Sequence, residues 1–119
     1  MPVKILIIIN EKPAACEKAY NAIRIAAQFQ KDSPGNIIFI YLIADGVFCA
    51  LANSEGPKGI LNVEEMLTGV TQKGGVIKMC TSCGETRGLR EKKLIEGAEW
   101  TNLKTLTDWI VESDKVINY

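Results

Sequence analysis

The chain reads as a three-layer α/β/α sandwich around a mainly parallel sheet of about five strands, on patterns that recur along it. Continuous β-branched and aliphatic runs mark strands that are buried on both faces. Between them stand segments with apolar residues at helical spacing, and alternation of strand with helix calls for parallel pairing through crossovers. Length bounds the count: 119 residues suffice for one domain with one core, and fall short of two domains of ordinary size. The expected unit is therefore a single domain over residues 1–119.

Each element has its own signals. Val3 to Ile9 is the first aliphatic run, and the polar Asn10-Glu11-Lys12 ends it. Pro13 to Gln30 predicts a helix, with Ala19, Ile23 and Ala26 on one stripe, Pro13 in the first turn and Ser33-Pro34-Gly35 as its stop. Asn36 to Ile43 predicts a second buried strand, closed by Asp45-Gly46, so the opening is strand, helix, strand with a right-handed crossover. Val47 to Ala52 suits a short helix, and Asn53 to Gly59 suits a loop able to act as a lid. Asn62 caps a helix that runs to Lys73. Gly75 to Cys80 predicts a third strand, after which Thr81 or Ser82 caps a helix carrying Arg87 to Leu94. Leu94 to Trp100 reads either way, with Gly97 interrupting it. The last helix is Asn102 to Glu112, with Leu103, Leu106, Ile110 and Val111 as its apolar stripe, and Lys115 to Tyr119 is a terminal strand.

Composition narrows the function classes. Hydrophobic residues make up 47% and charged residues 24%, the balance of a globular protein and not of a disordered chain. The net charge is zero, which leaves no electrostatic footprint for nucleic acid and no polybasic anchor for a membrane. The first apolar run is too short to span a bilayer and lacks a small-residue cleavage site, so a cytoplasmic location is expected. The chain contains no histidine. That removes the Ser-His-Asp and Cys-His mechanisms and every histidine-containing metal site. Gly74-Gly75 lacks dinucleotide-binding spacing, no phosphate-binding loop pattern occurs, and no cofactor is expected.

Chemistry must then run on cysteine, carboxylate, lysine, arginine or backbone groups. In parallel sheets ligands and reacting groups gather at the carboxyl ends of strands. Asn10, Asp45 and Cys80 all fall at such ends. Cys80 and Cys83 form a Cys-x-x-Cys pair where a strand gives way to a helix, whose unpaired amides favour a thiolate. Cations there (Lys78, Arg87, Arg90, Lys92, Lys93) outnumber the anions Glu85 and Glu91. Two buried small hydrophobes would satisfy the same spacing.

Three chemistries fit the pair. Cys80 can hold a sulfur as a persulfide and pass it to an acceptor thiol, or Cys80 and Cys83 can cycle between dithiol and disulfide. If Cys83 attacks a Cys80 persulfide, the products are a disulfide and sulfide. A zinc site needs two further thiolates, and Cys16 and Cys49 lack paired spacing, so no metal is expected. Cys16, among alanines, reads as a packing residue; Cys49, soon after Asp45-Gly46, is an outside candidate for the site. Asp45 suits a turn, or an acid near the thiols. Arg87 pairs with a carboxylate or supports an anionic sulfur. Trp100, Trp109 and Tyr119 suit core or subunit-interface positions.

Several of these residues carry a resemblance when taken in order. Val3-Lys4-Ile5-Leu6-Ile7 opens the chain, Ala44-Asp45-Gly46-Val47 follows the second strand, and Cys80 precedes Arg87-Gly88-Leu89. Leu94-Ile95-Glu96-Gly97-Ala98 comes next, then Leu106-Thr107-Asp108-Trp109-Ile110 and Asp114-Lys115-Val116-Ile117. In this the chain resembles the DsrE/DsrF-like family, which includes the TusD-type proteins of the tRNA 2-thiouridine sulfur relay. The resemblance implies the parallel-sheet fold of that family, trimers or hexamers of one chain, and sulfur-donor and sulfur-acceptor proteins as partners. It also implies a sulfur-accepting cysteine, and counting back from Arg87-Gly88 selects Cys80. Cys83 departs from the single-cysteine pattern of the TusD-like carriers. The expected function is thus a small sulfurtransferase-like carrier using Cys80, with Cys83 as second thiol and Arg87, Asp45 and Asn10 in support. A dithiol redox protein and a non-catalytic subunit of a relay complex are the alternatives.

Overall fold

A computed structural model describes residues 2–13, 17–52 and 62–119. The elements in order are β1 (Lys4–Ile9), α1 (Lys18–Asp32), β2 (Ile37–Leu42), a 3-10 segment (Ala44–Ala50), α2 (Val63–Gln72) and β3 (Val76–Cys80). α3 (Thr81–Thr86), β4 (Ala98–Thr101), α4 (Leu103–Glu112) and β5 (Lys115–Asn118) complete them. The strands form one five-stranded sheet in the order β4-β3-β2-β1-β5, and every pair is parallel.

This order dictates the layers. From β1 to β4 the chain steps steadily one way across the sheet, and right-handed crossovers put α1, α2 and α3 on one face. The return from β4 to β5 runs the other way. It carries α4 to the opposite face, where Trp109 stacks on Phe39 with ring centroids 4.4 Å apart and meets Tyr41 edge-on at 6.3 Å. The two faces differ in burial. Ile5, Ile7, Ile9, Ile38, Ile40, Leu42, Ile77 and Met79 alternate onto the face under α1 and α2, each no more than 1% exposed. The other face bears the Lys78–Glu99 ion pair and a half-exposed Val116.

Local departures from the sequence reading have identifiable causes. α1 starts at Lys18 with Glu17 as its cap, and Pro13 lies in a turn ahead of it. Cys16 and the lid candidate at 53–59 lie outside the described residues. The helix expected over Arg87 to Leu94 is absent: α3 ends at Thr86, and Gly88 at φ +70° takes the left-handed turn that closes a helix. Nor do Thr81 or Ser82 cap α3. Cys80 does, its sulfur accepting the Cys83 N–H at 3.4 Å. The ambiguous stretch after Leu94 becomes β4, reached through a bridge between Leu94 and Leu51. On α4 the buried stripe is Leu106 with Trp109, whose ring claims the sheet. Leu103, Ile110 and Val111, expected to be buried, are exposed at 58%, 42% and 86%.

Candidate functional site

β3 delivers Cys80 to the carboxyl edge of the sheet, and the six residues of α3 bring Cys83 back beside it. Cys80 sits at the wall of a cleft of about 220 Å³, which is also lined by Ser82, Glu85, Thr101, Asn102 and Leu103. Cys83, more exposed than the buried Cys80, lies toward the end of β2, where the Ala44 amide reaches its sulfur. A larger cleft of about 450 Å³, bounded by Asn21, Arg24 and Tyr119, has no thiol in its wall.

The two thiols differ electrically. Burial pushes the Cys80 thiol up, but the Cys83 and Ser82 side chains and the backbone amides of both residues donate to its sulfur and bring it below the ordinary value. Ser82 Oγ stands 3.2 Å from Cys80 Sγ. Cys83 goes the other way. Burial raises it first, its own bond to Cys80 raises it further, and the Ala44 amide and Arg87 pull back only in part. Cys80 is therefore the thiol poised to ionise, with Cys83 supplying it a proton donor.

The cations contribute less to this than their number suggested. Lys78 pairs with Glu99, and Arg90 pairs with Glu85 at 3.0 Å. Arg87 binds Asp45, Nε to Oδ1 at 2.8 Å, and donates from Nη1 to the Cys83 carbonyl at 3.2 Å. What lowers Cys80 is hydrogen bonding, not a charge excess.

Asp45 belongs to an elbow at the end of β2. Ala44 there is left-handed, at φ +53°, and aims its N–H at Cys83 Sγ from 3.2 Å. Gly46 seats the elbow against the end of β1: a Cβ on it would stand 1.9 Å from the Ile9 carbonyl oxygen, so no larger residue fits. Four of the five expected site residues thus form one connected group, Cys80 to Cys83 to Arg87 to Asp45. Asn10, the fifth, is held elsewhere. Its amide donates to Asn118 Oδ1 at 2.7 Å and the Tyr119 carbonyl at 2.8 Å, fastening β1 to β5.

Cys49 does not join them. It is 2% exposed, its sulfur lies 3.5 Å from the Glu11 carbonyl, and burial pushes its thiol up to about 12, so it is an inert packing residue. Three contributors were missed in the sequence. Ser82 was visible as a hydroxyl between two thiols, but only as a cap. Tyr41, on β2, read as one more apolar residue, yet its hydroxyl reaches the Asn102 carbonyl at 3.0 Å, and burial followed by both thiols pushes it up to about 12. The Ala44 amide had no signal, since alanine seldom adopts a left-handed backbone.

No group of three or more His, Cys, Asp or Glu suited to a metal ion occurs among the described residues. No helix among them is long and apolar enough to cross a membrane.

This arrangement has relatives. The model of the DsrE/DsrF-like family matches residues 3–119. The chain belongs to that family. It is 36% identical to the uncharacterized protein MK0008 of Methanopyrus kandleri over 113 residues, 95% of this chain and 91% of the relative. The uncharacterized protein MJ0989 of Methanocaldococcus jannaschii is 34% identical over 116 residues, 98% and 99% of the two chains. Protein YchN of Escherichia coli is 28% identical over 98% of each. The crystal structure of YchN superposes along all of both chains with a TM-score of 0.93, so the DsrE-like α/β fold is shared end to end. MTH1491 of Methanobacterium thermoautotrophicum, at 15% identity and a TM-score of 0.80, has the same fold.

Proposed function

We propose that this chain is a sulfur carrier in which Cys80 accepts a sulfane sulfur as a persulfide and yields it to an acceptor thiol. The observation that carries the reading is the ionisable Cys80 sulfur, hydrogen-bonded by Ser82 and Cys83 at the wall of an open cleft. In the loading step the Cys80 thiolate attacks the outer sulfur of a donor persulfide. A bond forms from Cys80 Sγ to that sulfur, the donor's S–S bond breaks, and the donor leaves as a thiolate. Membership of a family related to sulfur relay supports the same chemistry.

The partners in this reading are cytoplasmic sulfur-donor and sulfur-acceptor proteins, with further copies of the chain as an oligomer. Among the described residues the exposed large apolar side chains (Leu103, Ile110, Val111, Val116) all lie on α4 and β5, which suits burial against another copy. Sedimentation should then report a trimer or hexamer, and a monomer would refute it. For the carrier itself, treatment with a persulfide donor followed by intact mass and peptide mapping should place one extra sulfur on Cys80. No gain of sulfur, or equal gain by Cys80→Ser, sinks the reading.

A second reading, a dithiol redox protein, is favoured by one observation: Cys80 and Cys83 stand one helical turn apart at the same strand end, the Cys83 N–H donating to Cys80 Sγ at 3.4 Å. Titration in a glutathione buffer should then yield a reversible Cys80 to Cys83 disulfide. Failure to form it excludes that reading.

A further inference from the structure

The elbow between β2 and the 3-10 segment makes contacts that a passive second thiol would not need. Ala44 holds a backbone conformation that residues with a Cβ rarely adopt, and in it points its amide at Cys83 Sγ from 3.2 Å. The elbow is fixed from both sides. Gly46 N–H bonds the Ile43 carbonyl at 2.9 Å while its α-carbon is pressed on the Ile9 carbonyl. Arg87 ties the same elbow to α3, since Nε bonds Asp45 and Nη1 bonds the Cys83 carbonyl. A donor amide thereby faces the sulfur of Cys83, and a guanidinium is held at the carbonyl of the same residue.

We propose that Cys83 is a second nucleophile, oriented by the Ala44 amide and the Asp45–Arg87 ion pair, which expels unclaimed sulfur from a Cys80 persulfide as hydrosulfide. This rests on Cys80 being the persulfide carrier. The logic is a handover of charge. While Cys80 is a thiolate, its sulfur accepts the Cys83 S–H and that proton stays in place. Once an outer sulfur is attached, the negative charge moves out to it and Cys80 Sγ becomes an electrophile. The Ala44 amide and Arg87 remain, and both favour a thiolate on Cys83.

The step balances without another reagent. Cys83 gives its proton to the outer sulfur and attacks Cys80 Sγ. A bond forms between the two cysteine sulfurs, the bond from Cys80 to the outer sulfur breaks, and HS⁻ leaves with the electron pair. The sulfane sulfur is reduced to sulfide and the two cysteines are oxidised to a disulfide. Resetting the pair consumes one dithiol or two monothiols. An acceptor thiol that takes the outer sulfur first leaves Cys83 as it was, so the carried sulfur has a limited lifetime.

The test is a single turnover with the full chain. Protein is loaded with cysteine persulfide, freed of excess donor without reductant, and followed by intact mass and by bimane trapping of sulfide, with rates expressed per loaded chain. The parent should lose its added sulfur with one sulfide released and one Cys80–Cys83 disulfide formed. Cys83→Ser should retain its sulfur and release none. Asp45→Ala, which keeps both thiols, should slow release about tenfold and move its pH profile upward, because less of Cys83 reaches the thiolate once the elbow is free. The groups facing Cys83 in that profile are Cys80, Arg87, Asp45 and Tyr41, and Tyr41 stays neutral until about 12. A parent that loads sulfur and keeps it as long as Cys83→Ser does overturns this step alone. Release that is unchanged in Asp45→Ala overturns the role of the elbow. A parent that neither gains sulfur nor releases sulfide, together with a Cys83→Ser variant that never gains sulfur, overturns the carrier reading and the step with it.

Discussion

Two polar clusters stand at the same carboxyl edge of the sheet, and they serve different ends. At the β1–β5 side, Asn10 binds Asn118 and the Tyr119 carbonyl, so donors and acceptors satisfy one another and the strands are fastened. At the β2–β3 side, Cys80 sits at a cleft wall, a left-handed Ala44 spends its amide on a sulfur, and an ion pair braces the turn. Position at a strand end is common to both. What separates them is a group whose charge can change, surrounded by contacts that favour one of its states.

Substitutions can break that contrast, beginning with the largest effect. Cys80→Ser should abolish sulfur loading outright, as read by intact mass; residual loading would move the site to Cys83. Gly46→Ala should destabilise the fold by about 3 kcal/mol in urea titrations, since its Cβ would collide with backbone. A neutral result there would mean that the elbow is not fixed.

pH sharpens the contrast within the thiol cluster. Cys80 lies below the ordinary thiol value, so its charged form is favoured in the fold and its alkylation should stay fast as pH falls beneath that value. Cys83 lies above, and should react only as pH rises past it. Site-resolved alkylation across pH checks this order, and the reverse order would exchange their roles. Ser82→Ala removes one donor and should cut the Cys80 thiolate fraction by up to about tenfold at pH below its midpoint. Asn10→Ala completes the series: about 1 kcal/mol of stability lost, and sulfur loading per folded chain unchanged. Impaired loading in that variant would erase the distinction between the clusters.

The fold was legible because its signal is repeated. Ile5 to Ile9 is aliphatic on both faces, Ile38 to Leu42 and Ile77 to Met79 keep aliphatic residues on the face under α1 and α2, and the asparagines at 62 and 102 cap their helices, accepting from Glu65 N and Thr105 N. Cys80 was legible from spacing and resemblance. What escaped depends on contacts between distant segments. The Arg87–Asp45 bridge joins residues 42 apart, and two exposed-looking charges gave no hint of which partner each would find. The helix expected over Arg87 to Leu94 does not form because Gly88, at φ +70°, turns the chain just after Thr86, and nothing in the local pattern announces that turn.

The strand order carries one more consequence, for synthesis. β1 is made before the other strands, yet its outer partner β5 is made after all of them, and the Lys4 amide finds its Asp114 acceptor 110 residues on. A nascent chain therefore holds the edge of Lys4–Ile9 unpaired through the making of four strands. During that interval the most aliphatic segment of the protein is open to strand addition by neighbours, and β5 is the piece that ends the exposure.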